Sequence, residues 1–303
     1  MMSGEEAVHF LTAQNRDHGN PAVSSHWEVY SIGGHSRRTP WGRVAHRFML
    51  RREFRIADEF PNGRELLSLL SRVARLTSRA VDLTMLRQAL TLAHIETELN
   101  LARDSTRTWV IIGDGLGLLA SLVLLREPAA RVIVVNLDKN LLADLTYLRR
   151  VLGADFDART RFIRDGKDIA NFGDSSEPQP RLFALRARDA SLLQGVPADI
   201  FVNVASMQEM LAKDVYTYFE AMRTVAETRE VFFYCCNREE KKHPDGSIIR
   251  FSGYGWQDDD EIIADGPCPW HQRFYTLVPP RYLPYDGPIV HRLAKIAPAA
   301  HGR

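Results

Sequence analysis

The run WVIIGDGLGLLASLV, residues 109–123, constrains this chain more than any other stretch. The apolar residues Trp109 to Ile112 stop at a glycine, and Gly113, Asp114, Gly115, Leu116 and Gly117 then lead into an apolar stretch over 118–126. The pattern reads as a buried strand, a sharp turn and a helix. Glycines allow positive φ in such a turn. They also let a ligand approach the free N–H groups of the helix N-terminus. Two ligands compete for it: S-adenosyl-L-methionine, with its methionyl part on the turn, and a dinucleotide, since Gly115-x-Gly117-x-x-Ala120 fits G-x-G-x-x-A. A tight turn without any ligand is the third reading.

Around this motif, strands and helices alternate. Strands are expected over 109–112, 132–135, 183–186, 200–204 and 231–236, with tail strands over 274–278 and 289–295. Helices are expected over 118–126, 141–152 and 210–227. Ahead of them, Leu66, Leu67, Leu69, Leu70, Val73 and Leu76 recur at helical spacing, and a second helical stretch covers 81–101. Residues 1 to about 60 read as irregular, with aromatic and histidine patches at His26-Trp27, Gly33-Gly34-His35 and Pro40-Trp41. Alternating elements of this kind give an α/β fold, a parallel Rossmann-like sheet with helices on both faces. The natural division is an N-terminal lid and helical region over 1–103 and a nucleotide-binding domain over 104–303.

Composition narrows the class. Apolar residues make up 45% and charged residues 25%, which suits a globular chain. Lys plus Arg is 39 against 38 for Asp plus Glu, so nothing suggests a nucleic-acid binder. Three cysteines build no disulfide framework and contain no C-x-x-C pair, which suits a reducing cytoplasm and excludes a thiolate zinc site. The start, MMSGEEAVHF, lacks the features of a signal peptide. The most apolar window, 109–125, is interrupted by Asp114 and glycines, so no membrane span is expected. The acidic run Asp258-Asp259-Asp260-Glu261 reads as a solvated loop rather than a metal site, because neighbouring side chains point apart. No metal is expected. Adjacent Cys235 and Cys236 on a strand face opposite sides, which suits buried apolar roles.

The second strand ends Val135-Asn136-Leu137-Asp138. Asn136 at the tip, or Asp138 about 20 residues past the turn, is placed to hold ribose hydroxyls. Asp138 could equally cap the next helix. Further on, Arg188-Asp189-Ala190 and the block PADIFVN over 197–203 follow the order acid, short helix, Asp, strand. Asp189 could accept from an adenine amino group, and Asn203 lies at the carboxyl end of its strand, where open α/β sheets bind ligands. No Tyr-x-x-x-Lys or histidine base of a dehydrogenase stands at a matching position. This favours S-adenosyl-L-methionine over NAD(P).

Four stretches carry a resemblance to a family: WVIIGDGLGLLASLV, VIVVNLDKNLL, ADIFVNVASMQEM and VFFYCCNREEKKHPDGSIIRFSGYGW. They resemble the sugar O-methyltransferases, within the class I, Rossmann-like enzymes that use S-adenosyl-L-methionine. The sequence departs from that family at Asn136, where an aspartate is usual, and at Gly253-Tyr254-Gly255-Trp256, where Asp-Tyr-Pro-Trp is usual. The resemblance implies a mostly parallel sheet with an antiparallel C-terminal strand. It implies a cofactor held by Gly113, Asp114, Gly115, Gly117, Asn136, Asp138, Asp189 and Asn203. It also implies a small-molecule acceptor, a sugar or glycoside, contacted by Ser206, Gln208, Asn237, Arg238, Trp256 and Trp27, with neither nucleic acid nor membrane as partner. The chain could act as a homo-oligomer. Transfer to a hydroxyl needs a base. Glu209, just past the fourth strand, leads, and its other reading is a helix-dipole contact. Of the histidines His26, His35, His243 and His271, His271 beside Trp270 is the best placed. Arg238 could bind a carboxylate or phosphate bidentately, or pair with Glu239 or Glu240. Residues 1–60 are expected to close over the cleft as a lid. An NAD(P)-linked oxidoreductase and a catalytically silent binding protein are the other classes.

Overall fold

The computed structural model describes residues 1–17, 40–102, 106–170, 172, 179–277 and 280–299. The chain opens with β1 (Met2–Ser3), α1 (Gly4–Asp17), α2 (Pro40–Met49), α3 (Arg51–Glu59), α4 (Gly63–Leu76) and α5 (Leu83–Glu98). There follow β2 (Thr108–Ile112), α6 (Leu118–Arg126), β3 (Arg131–Asn136), α7 (Asp138–Leu152), α8 (Phe156–Arg159), β4 (Thr160–Ile163), α9 (Gly166–Ala170) and β5 (Leu182–Arg186). A 3-10 stretch, Ala187–Gly195, leads to β6 (Ile200–Val204), a 3-10 turn Met207–Glu209, α10 (Ala212–Ala226) and β7 (Phe232–Arg238). The chain ends with β8 (Glu240–Lys242), β9 (Ile248–Arg250), β10 (Glu261–Pro267), β11 (Arg273–Leu277), β12 (Pro280–Pro284) and β13 (Ile289–Lys295).

Among the described residues, nine strands form one sheet in the order β1-β4-β5-β3-β2-β6-β7-β13-β10. From β4 to β7 the neighbours are parallel; β1 at one edge and β13 beside β7 run antiparallel. This is the Rossmann-like arrangement expected, a mostly parallel sheet with an antiparallel C-terminal strand. The central strands are buried on both faces, so they read as continuous apolar runs. Trp109, Ile111, Val134, Val202, Tyr234 and Cys236 face α4 to α7. Val110, Ile112, Val135, Phe201, Phe233 and Cys235 face α10 and the 187–195 stretch. The two cysteines thus lie on opposite faces, as strand geometry requires. Leu66 and Leu70 of α4 and Leu86 and Leu90 of α5 belong to the same apolar cluster as Trp109 and Val134. The helices ahead of β2 and the sheet therefore share one core. No helix among the described residues is long and apolar enough to cross a membrane.

The expectation of an irregular N-terminal segment is corrected. Residues 4–17 and 40–59 are helical. The start of α1 carries a legible signal, a capping box in which the Ser3 N–H donates to Glu6 Oε2 at 2.8 Å and the Glu6 N–H to Ser3 Oγ at 3.5 Å. α3 hides because charge dominates its sequence and it buries little more than Ile56 and Ala57. β1 pairs with Arg161 and Phe162 at the edge of the sheet, and two residues are too few to show a period. Residues 1–17 are therefore built onto the sheet's β4 edge, where Phe10 packs against Phe162 and its ring centre lies 5.9 Å from the guanidinium carbon of Arg186 at the carboxyl end of β5.

The acidic run is a second correction. Asp260 is buried, and Arg223 of α10 grips it bidentately at 2.9 and 3.0 Å. It also accepts the N–H groups of Gln257 at 2.9 Å and Ala297 at 3.0 Å. Arg223 further donates to the carbonyls of Gly255 and Ala297. One buried ion pair thus ties α10, the loop after residue 254 and the chain after β13. Burial pushes the Asp260 carboxyl up, but Arg223 and the two N–H donors outweigh it and hold it below the usual carboxylate range. A depressed folded pKa gives stability that is present above the unfolded pKa and lost as pH falls through the folded one. Asp260→Asn should cost about 3–5 kcal/mol in urea unfolding at pH 7, because it strands a buried guanidinium. The difference from the wild type should shrink below about pH 4, as the wild-type carboxyl itself protonates.

Candidate functional site

The strand order reverses between β2 and β6, and the glycine turn lies at the carboxyl end of β2 beside that point, where open α/β sheets bind ligands. Gly113 has φ 71° and its N–H donates to the Val135 carbonyl at 2.8 Å. A Cβ there would lie 2.2 Å from Ser206 Oγ, so only glycine lets the turn meet the tip of β6. At Gly117 a Cβ would lie 2.8 Å from Leu148 Cγ, which lets α6 approach α7 closely. Gly115 differs: its φ is 81°, and a Cβ would have nothing within 4 Å. Gly115 is the glycine of the turn that faces open space.

Asp114 folds back under the turn. Its carboxylate accepts the N–H groups of Leu119 at 2.9 Å and Ala120 at 2.8 Å, capping α6 from a buried position. Asp144 of α7 is a second fully buried carboxyl nearby. Burial pushes Asp114 up to about 6, and burial together with the charge of Asp114 holds Asp144 well above the usual carboxylate range. Asn136 is turned inward between them and the backbone: Nδ2 donates to Asp144 Oδ2 at 2.9 Å, and Oδ1 accepts the Leu137 N–H at 3.0 Å. The tips of β3 and β5 carry the two expected acids as ion pairs, Asp138 with Arg188 at 3.2 Å and Asp189 with Arg186 at 2.6 Å.

The tips of β2, β6 and β7 are stitched by amides. Asn203 donates to the Ile112 carbonyl at 2.8 Å and to Ser206 Oγ; its Oδ1 accepts the Met207 N–H and Asn237 Nδ2. Ser206 Oγ also donates to the Ile112 carbonyl at 3.0 Å. Asn237 Oδ1 accepts the Gln208 N–H at 3.1 Å, and Gln208 Oε1 accepts the Arg238 N–H at 2.8 Å. Ala205, at φ 58°, makes the bend between Asn203 and Ser206, a conformation that a non-glycine residue adopts only when its surroundings impose it. Asn203, Ser206, Gln208 and Asn237 are thus brought together, with their polar groups directed at one another.

The remaining residues divide. Glu209 is exposed at the end of the 3-10 turn and pairs with Lys241 at 3.2 Å. His271 is buried on the other face, its Nδ1 3.7 Å from Cys236 Sγ, and burial, then the charge of Arg87, hold it well below the usual histidine range. Trp256 stacks on Phe233, edge-on to Phe219, and donates to the Phe251 carbonyl; the structure places it in packing, away from the strand tips. Trp27, His26 and His35 lie outside the described residues. His243 sits in the turn of the β8–β9 hairpin. No group of three His, Cys, Asp or Glu residues among the described ones could hold a metal ion.

Gln88 of α5 is a residue that the sequence reading passed over. It lines a narrow crevice with Ile112, Gly113, Asp114, Leu119 and Val204, and its Oε1 is buried without a hydrogen-bond partner. The apolar spacing of α5 marks that helix as core, and nothing in its sequence points to the glycine turn some 25 residues later.

No protein-family model matches the chain, and no curated protein matches its sequence. Among solved structures, the chain is similar to an S-adenosylmethionine-dependent methyltransferase from Clostridium acetobutylicum, at 12% identity and a TM-score of 0.36 over 68% of this chain and 89% of that one. It is similar to magnesium protoporphyrin IX methyltransferase from Synechocystis with bound SAH, at 11% identity and a TM-score of 0.42 over 75% and 93%. A third is the mitomycin 7-O-methyltransferase MmcR, at 13% identity and a TM-score of 0.34 over 92% and 76%. These are distant likenesses of the chain trace, and the functional reading rests on the site's own geometry.

The buried carboxyl under the turn has a measurable consequence. A raised folded pKa means that stability is fullest below the unfolded value and is lost as pH rises through the folded one. Asp114→Asn removes that titration along with one cap acceptor. The wild type's advantage over the variant in urea midpoint should therefore shrink as pH rises from about 4 to 6. A constant advantage across that window would show that Asp114 is ionised throughout.

Proposed function

We propose that this protein is a methyltransferase that uses S-adenosyl-L-methionine and methylates a hydroxyl of a small molecule of the sugar or glycoside class. The observation that carries the choice of cofactor is Asp114. A dinucleotide loop presents its helix N-terminus to a pyrophosphate. Here the N–H groups of Leu119 and Ala120 are already taken by a side-chain carboxyl, which also repels a phosphate. S-adenosyl-L-methionine has no phosphate, and its sulfonium is cationic, so the same turn suits it. The open side of Gly115 and the unpartnered Gln88 Oε1 offer it room and an acceptor. Asp138 and Asp189 would hold its adenosine part, with Arg188 and Arg186 giving way.

When bound, the cofactor supplies an electrophilic methyl group, so the protein's own task is to position the acceptor and take its proton. Glu209 suits the base. It lies at the carboxyl end of β6, it is reachable from solvent, and Lys241 orients its carboxylate. His271 suits it less, since burial beside Arg87 leaves the imidazole weakly basic. The sugar assignment rests on the resemblance of the stretches 198–210 and 231–256. A cytoplasmic location accords with three buried free thiols.

Calorimetry with S-adenosyl-L-methionine, its demethylated product and NAD separates the classes. Binding of the first two and not the third is expected; binding of NAD alone would replace the reading with an oxidoreductase. Gly115→Val should abolish cofactor binding, because a β-branched residue cannot hold φ 81° and its side chain would occupy the open side of the turn; an unchanged urea midpoint would show that the loss is local. Glu209→Gln should lower turnover by roughly 10²–10⁴-fold with cofactor affinity unchanged. For the lid, deletion of residues 1–60 is a poor test, since it removes β1 and α1 from the sheet and core. Trp27→Ala should raise the acceptor KM and leave cofactor affinity alone.

A further inference from the structure

We propose that the acceptor carries an oxyanion, a carboxylate or a phosphate, and that Arg238 binds it beside Tyr285 with Arg87 behind. The proposal that this ligand is the methyl acceptor rests on the methyltransferase reading; the anion site itself stands on the charges of this face.

Side chains of β7 alternate, and Tyr234 and Cys236 face α5. Arg238 continues that face at the strand tip. Its guanidinium carbon lies 5.9 Å from the Tyr285 ring centre, and its Nε is buried without a hydrogen-bond partner. No carboxylate among the described residues pairs with it. Glu240 is taken by Arg250 at 2.8 Å and Glu209 by Lys241 at 3.2 Å. Arg87 is itself buried, with its guanidinium carbon 5.3 Å from the same ring centre. Among the described residues its hydrogen bonds go to neutral acceptors: the Tyr285 hydroxyl at 2.7 Å, the Trp270 carbonyl at 3.4 Å and the Arg273 carbonyl. Arg273 lies over Tyr282 at 4.2 Å, its Nε also buried and unpartnered. Arg51 and Arg52 of α3 add positive charge around Tyr282. Against these stands one buried carboxylate acting on Tyr282, Glu53. His271 is held neutral and adds no further positive charge.

Arg87, Arg238 and Arg273, buried or half-buried with so little compensation, are costly, and an oxyanion is the ligand that relieves them. The planar fork of arginine matches a carboxylate or phosphate with two hydrogen bonds. The place suits an acceptor. Arg238 ends β7, β7 adjoins β6, and Gln88, next to Arg87 on α5, reaches the glycine turn.

Calorimetric titration of the full-length protein, with and without the demethylated cofactor product, tests this with glucuronate, glucose 6-phosphate and glucose. At least one anion should bind with an affinity about tenfold or more above that of glucose, as loss of a charged hydrogen-bonded pair predicts. Preference for glucuronate assigns a carboxylate, and preference for glucose 6-phosphate a phosphate. Arg238→Met should remove that preference while the affinity for the cofactor product stays unchanged, which also shows that the variant is folded. Arg238→Lys should keep part of it. Equal binding of glucose and the anions, no anion binding by the wild type, or full anion affinity in Arg238→Met would each overturn the proposal. Failure of the cofactor product to bind the wild type would sink the methyltransferase reading and leave the anion result to be judged alone.

Discussion

The turn at the end of β2 holds the rest of the site in place, and Asp114 holds the turn. A helix N-terminus pointing at the centre of an open sheet has orphan N–H groups and a partial positive charge. Most ligand turns leave that potential to the ligand. Here Leu119 and Ala120 spend it on an internal carboxyl, and Ser206 presses on Gly113 from the neighbouring strand. The loop is therefore shaped before any ligand arrives. Its remaining open side, at Gly115, is defined by the parts that are already filled.

The strand tips obey the same economy. Polar residues at the carboxyl ends of β2, β6 and β7 sit where backbone groups leave the sheet and must find partners. Asn203, Ser206, Gln208 and Asn237 supply them: Asn203 and Ser206 donate to the Ile112 carbonyl, Asn237 donates to Asn203, and the Gln208 N–H donates to Asn237. Such a network is rigid only when every member is satisfied. It fixes the relative positions of the glycine turn, Glu209 and Arg238 without any of its amides being free for a ligand. Ala205 is held at positive φ by that network.

Charge is distributed unevenly over the α5 side of the sheet. Under the glycine turn lies the buried Asp114 carboxyl, and burial together with its charge keeps the neighbouring Asp144 protonated. At the far end, around Tyr285, lie Arg87 and Arg238, with no carboxylate among the described residues paired to either. In a low-dielectric crevice such separation creates a field along the cleft. A cationic cofactor at one end and an anionic acceptor at the other would both lie favourably in it, and would present the methyl donor to the acceptor in one orientation.

How much of this was legible follows from the range of each interaction. The central strands and α6 were readable to within a residue or two, because burial on both faces and a glycine turn leave continuous local patterns. The parallel sheet and its ligand-binding end followed from the alternation of strands and helices, whereas the strand order around β2 came only with the structure. The capping box at Ser3 and Glu6 was present in the sequence and lost among charges. What no local pattern could give were the partners. Asn136 and Asn203 look like ligand residues because of where they stand in the chain, and only packing decides that Asn136 meets Asp144 and Asn203 meets Asn237. Asp260 belongs to an acidic run by sequence and to Arg223 by contact, 37 residues away. Arg87 and Tyr285, like Gln88 and the glycine turn, come from distant parts of the chain and meet only in the fold. The sequence by itself determined the sheet and its turn, since those depend on neighbours within one element. The tertiary structure decided which polar groups are spent on the scaffold and which charges are left without partners, because desolvation and pairing depend on what is brought alongside.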